Sequence, residues 1–147
     1  MIFAFLTALA SPQPTPPIFT CDLGKKNVTI REAAGQLHYR FGTRSRAELE
    51  LRATPESSSV FYHRTLYSRG EDQSLRFTNG KYSYVVYSMW RAPSGSSAEA
   101  VEGGLLVLLD GKVLQKNKCR NGGDMLEYPI FKMLPSDKTN WADVETP

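Results

Sequence analysis

The sequence predicts an all-β domain. The expected form is an antiparallel meander of eight or nine strands, closed or nearly closed into a small barrel, with a β-sandwich as the alternative. Three observations lead there. Short runs rich in β-branched and aromatic residues alternate apolar and polar with period two, the pattern of antiparallel strands packed on one face and wet on the other. Turn signals separate the runs, among them Asn79-Gly80 and Asp110-Gly111. No stretch carries a helical period long enough to compete.

In chain order, residues 18–22 form the first strand, and Gly24-Lys25-Lys26 turns into the second at 27–31. Ala34-Gly35 turns again. Residues 37–41 set Leu37, Tyr39 and Phe41 on one face and His38 and Arg40 on the other. After a loop at 42–45, residues 48–52 alternate likewise, with Leu49 and Leu51 inward. A long strand is expected over 59–69, and Gly70-Glu71-Asp72 reads as a turn. Residues 74–77 lead into the Asn79-Gly80 hairpin, whose type I′ turn needs positive φ at both central residues. Its second strand spans 82–90 and a polar Gly/Ser loop follows at 91–98. Residues 105–109 are apolar on both faces, so this strand is expected to be covered on both sides. Asp110-Gly111 turns into the last strand, 113–119. Beyond it, Asp124 and Glu127 have capping-box spacing. A short C-terminal helical turn through Met125, Leu126, Ile130, Phe131 and Leu134 is expected to plug one barrel end. Residues 136–147 form a loose tail from which Trp141 docks back. The chain thus divides into a signal-like segment and Pro-rich spacer (1–17), a β-barrel domain (18–120) and a C-terminal extension (121–147).

Compartment follows from the N-terminus and the cysteines. Residues 2–10 are apolar and end in Ala8-Leu9-Ala10, the small-x-small pattern of a signal-peptidase site. The run is too short for a membrane span, so a periplasmic or secreted protein is expected. Two cysteines in an exported chain imply one bridge, Cys21 to Cys119. A bridge needs Cα atoms roughly 4.4–6.8 Å apart. The first and last strands are then neighbours, which in a meander means closure. Hydrophobic residues at 41% and aromatics at 11% suffice for a core over 147 residues. The net charge of +3 spreads over 18 basic and 15 acidic residues, without the dense basic stripe of a nucleic-acid binder.

Catalytic patterns are sparse. His38 and His63 lack the spacing of metal ligands, and no Gly-x-Ser-x-Gly elbow occurs. Glu48 and Glu50 share a solvated strand face, and Gly103-Gly104 precedes a strand rather than a helix, which excludes a phosphate loop. No metal or cofactor is therefore expected, and the protein is read as a non-enzyme. What remains is a recognition surface of residue types favoured at binding hot spots. Its candidates are Tyr87, Trp90, Arg91 and Arg40, with Ser94, Gly95, Ser96 and Ser97 in a loop.

Two resemblances carry this further. The tyrosine-rich strand through Tyr84, the polar loop, the apolar strand, Asp110-Gly111-Lys112 and a strand ending in Cys119, together with Tyr39-Arg40-Phe41-Gly42, resemble small exported bacterial proteins. The overall plan is also similar to the periplasmic inhibitors of c-type lysozyme, small barrels with a first-to-last-strand disulfide and a Ser/Gly loop that enters the lysozyme cleft. Cys21, Cys119 and Ser94-Gly95-Ser96 are the matching elements. That family follows its loop with an aromatic or basic residue, where this chain has Ala98-Glu99-Ala100. The resemblance implies an inhibitor or immunity protein whose partner is an envelope or secreted enzyme. Alternatives are a barrel holding a small or carbohydrate ligand and a structural envelope protein.

Overall fold

The structure, a computed structural model, describes residues 16–146. The signal-like run lies outside the described residues. Among the described residues, nine antiparallel strands follow one another in a meander. Strands β1 (Phe19–Asp22), β2 (Asn27–Ala33), β3 (Gln36–Gly42) and β4 (Ala47–Ala53) form one sheet. Strands β5 (Val60–Tyr67), β6 (Gly70–Asn79), β7 (Tyr82–Arg91), β8 (Ala100–Leu109) and β9 (Lys112–Lys118) form the other. The inward residues of both meet in one core. Ile30, Leu37 and Tyr39 join Leu75, Phe77, Val86 and Leu105, and the Tyr39 ring lies 5.4 Å from Phe77 and 5.8 Å from Tyr84.

Neither sheet closes. The Cys21–Cys119 disulfide brings the first strand beside the end of the last, with Cα atoms 4.9 Å apart. The junction is nonetheless not a ladder. The Asn121 side chain occupies the outer edge of β1 like a peptide unit, donating to the Thr20 carbonyl at 3.0 Å and accepting from the Asp22 amide at 2.9 Å. Arg120 N–H donates to Asp22 O and Leu126 N–H to Ile18 O. At the opposite side, the 3₁₀ turn Pro55–Ser57 links β4 to β5 without pairing them. A four-residue β1, its edge already satisfied, leaves β9 nothing to zip onto.

Several local expectations shift. Gly70-Glu71-Asp72 is not a turn but the start of β6, and the chain reverses at residues 68–69. The central hairpin turns at Gly80-Lys81, with positive φ only at Gly80 (+62°), the requirement of a type II′ turn rather than I′. Asn79 instead pairs with Tyr82. Strand β8 begins at Ala100, so Gly103 and Gly104 lie within it. The Asp124/Glu127 capping box does not form: the 3₁₀ turn spans Pro129–Met133, with proline fixing its first position. This segment fills the core from one end, Phe131 stacking on Tyr62 at 4.7 Å.

The C-terminal extension makes a third layer. Its parallel bridge to β5 at Ser136 and the 3₁₀ turn Trp141–Asp143 lay it across the outer face of the five-stranded sheet. There Ala142 and Trp141 pack with Val85, Tyr87, Leu106 and Leu108. This explains the two-sided apolarity of residues 105–109: Leu105 faces the inter-sheet core, Leu106 and Leu108 the tail.

Candidate functional site

The β7–β8 hairpin carries the expected recognition loop, and it is a built structure. Pairing runs up to Arg91 opposite Ala100, after which the chain leaves the sheet. Beyond it, Ser94 and Ser97 exchange both backbone hydrogen bonds, at 3.0 and 2.8 Å, around Gly95 with φ of +56°. Two further bonds tie the loop's base to the β5–β6 turn: Ala92 N–H donates to Arg69 O, and the Arg69 guanidinium to Pro93 O. Residues 93–100 are all exposed. The result is a held, protruding tip of small polar residues.

Two side chains anchor that tip. Trp90, 37% exposed, faces Glu71 on β6 and Val101 on β8, and its indole N–H donates to Glu99 Oε1 at 2.9 Å. Arg91 points to the other face, donating to Asp72 Oδ1 at 2.8 Å with its guanidinium 5.0 Å from the Tyr67 ring centroid. Asp72 is buried and also accepts from Asn140 Nδ2 at 2.8 Å and Tyr67 OH at 3.1 Å. Burial alone would raise its carboxyl pKa. The hydrogen bonds from Arg91 and Asn140, the Arg91 charge and Tyr67 outweigh it and hold the carboxyl below its ordinary value.

Of the residues singled out in the sequence, the hairpin gathers Trp90, Arg91, Ser94, Gly95, Ser96 and Ser97. Tyr87 and Arg40 do not join them. Tyr87 is fully buried in the outer layer, with Lys116 Nζ 4.9 Å from its ring centroid. Arg40 is on the other sheet, donating to Thr43 O at 2.7 Å. Sequence reasoning missed Asp72, Tyr67, Arg69 and Glu99. Their roles depend on cross-strand register and on the returning tail, and the alternation within their own segments carries no trace of either.

The space between the sheets is filled by Val28, Ile30, Leu37, Val60 and Leu75, all fully buried. An open recess of about 480 Å³ at its edge is lined by Leu23, Phe41, Leu105 and Val107, with Lys25 and Arg120 beside them. Among the described residues, no three His, Cys, Asp or Glu side chains converge as metal ligands, and no helix is long and apolar enough to cross a membrane. No protein-family model, no curated protein and no solved structure matches this chain.

Proposed function

We propose that this is an exported, non-enzymatic binding protein that inserts its β7–β8 hairpin tip into the cleft of a cell-envelope hydrolase, a c-type lysozyme being the type of target. The observation that carries the reading is the tip itself. It projects small polar side chains on a backbone fixed before binding, so little ordering entropy is lost on association. Trp90 and Arg91, residue types enriched at hot spots, sit immobilised at its base. Glu99, placed where a basic or aromatic residue would be expected, is turned back onto the Trp90 indole instead of forward to the tip. The disulfide and the self-contained core support a periplasmic or secreted setting, and the resemblance to lysozyme inhibitors supplies the target class. A core filled with side chains favours this reading over a ligand held between the sheets.

A turbidity assay of cell-wall lysis tests it. The purified protein should slow a c-type lysozyme stoichiometrically. Trp90→Ala should weaken the inhibition at least tenfold, as expected for loss of a hot-spot aromatic, measured at a temperature well below the variant's own melting transition. Full lysozyme activity at a tenfold excess of wild-type protein would overturn the assignment.

A further inference from the structure

A second surface lies on the solvent side of the four-stranded sheet. The alternation that turns Val28, Ile30 and Tyr39 inward sends Thr29, Arg31, His38 and Arg40 outward. With Arg44 from the β3–β4 loop and Asn121 from the segment beside β1, they line an open groove of about 650 Å³. We propose that this groove binds an acidic glycan, a polysaccharide strand bearing carboxylates laid across β1 to β3.

Charge is the first argument. Arg40 and Arg44 line the groove with, among the described residues, one carboxylate, Asp22, whose Oδ1 already accepts the Gly24 amide at 2.8 Å. Glu50, opposite Arg40 on β4, approaches His38 at 3.6 Å and is not part of the lining. The planar guanidinium fork matches a carboxylate in two-pronged fashion, and Arg40 is pre-positioned by its bond to Thr43 O.

The neutral lining sets the class of ligand. Threonine hydroxyls and the Asn27 amide between the arginines suit sugar hydroxyls. An acidic peptide fits less well. The central strands' backbone groups are committed to the β1–β2 and β2–β3 ladders, and peptides are read through free sheet edges or apolar grooves. A single-stranded nucleic acid fits less well too, because no Phe, Tyr or Trp lines the groove to stack on a base.

His38 reports on the groove. Burial, above all, lowers its pKa. Arg52 on β4, Arg40 on β3 and Arg31 on β2 lower it further, and only Glu50 opposes them. Its Nε2 is itself buried and lies 3.6 Å from Glu50 Oε1, so the ring senses the groove through its charges and not by direct contact. A carboxylate bound in the groove adds a second negative charge near the ring, beside that of Glu50, and raises that pKa. Binding then takes up a proton and tightens as pH falls toward the His38 pKa.

The test is calorimetric titration with a galacturonate hexamer, alongside a neutral galactose hexamer. The uronate should bind and the neutral sugar should not. Arg40→Gln with Arg44→Gln should lower the affinity at least tenfold. Lys81→Gln with Lys112→Gln, which removes the same charge from the other sheet, should change it less than twofold. Should the arginine pair impair folding, Arg44→Gln alone, in an exposed loop, should still cost about threefold. By NMR, the His38 ring should titrate at higher pH with the uronate present. Equal losses in the arginine and lysine variants, equal binding of a glutamate hexamer, no binding of the uronate, or an unmoved His38 would each overturn the proposal. The groove does not involve the hairpin tip, so the inhibitor reading stands or falls separately.

Discussion

Asp72 is the residue on which the hairpin base and the C-terminal tail converge. One buried carboxylate accepts from Arg91, Asn140 and Tyr67. Replacing it with asparagine keeps the volume but removes the charge that three donors share. Asp72→Asn should therefore cost about 2 kcal/mol, from hydrogen bonds to a charged group. Its pKa is depressed in the folded state, so its contribution is present above the unfolded value of 3.8 and lost as pH falls through the folded one. Denaturation curves of the two proteins should differ at pH 7 and converge below pH 3.8; a constant gap would contradict this account. Tyr39 is the opposite case. Its ring packs on Phe77 and Tyr84, but its buried hydroxyl meets no partner among the described residues. Tyr39→Phe should be neutral or stabilising by about 1 kcal/mol, and a lowered denaturation midpoint would reveal a partner for that hydroxyl.

Among the elements, β8 shows most clearly how neighbours assign meaning to sequence. Gly103 and Gly104 offered no chemistry in the sequence, and their use is contact. A Cβ on Gly103 would come within 2.2 Å of the Gly123 carbonyl, and one on Gly104 within 2.5 Å of both the Tyr87 ring and the Asn117 carbonyl. Gly104→Ala should cost about 1–3 kcal/mol or more through overpacking, measured as a lower urea midpoint at unchanged m-value. An unchanged midpoint would mean the Tyr87 layer yields freely. The tail belongs to the same account. Lys116 Nζ donates to Ala142 O and Val144 O, and the Arg76 and Trp141 nitrogens to Asp137 Oδ2. Only Trp141 in this segment signalled docking from sequence, because the other contacts are made by backbone and by short polar side chains.

For the whole molecule, the long-range staple is Cys21–Cys119, at a sequence separation of 98. A loop of that length is worth about 4–5 kcal/mol in the chain-entropy model. Cys21→Ala with Cys119→Ala should thus lower the melting temperature by on the order of 10 °C. A melt within a degree or two of wild type would show that Asn121 and residues 125–126 hold β1 without the bridge. The same junction decided barrel against sandwich. Alternation fixed which side chains of β1 face inward, but its four residues ran out before a ladder to β9 could form, and a side-chain amide took the edge instead.

By itself the sequence determined the strands, their inward faces, the meander order and the cysteine pairing. The first three follow from period-two patterning and local turn chemistry, which act over a few residues; the pairing follows from there being two cysteines. Tertiary structure alone decided that the sheets stay open, that the extension covers a second apolar face, and that Tyr87 is core while Trp90, three residues on, is surface. It also decided that Asp72, which reads as a turn residue, is the buried acceptor beneath Arg91. Each of these depends on which distant segment covers a strand face, and a strand apolar on both sides states only that something must.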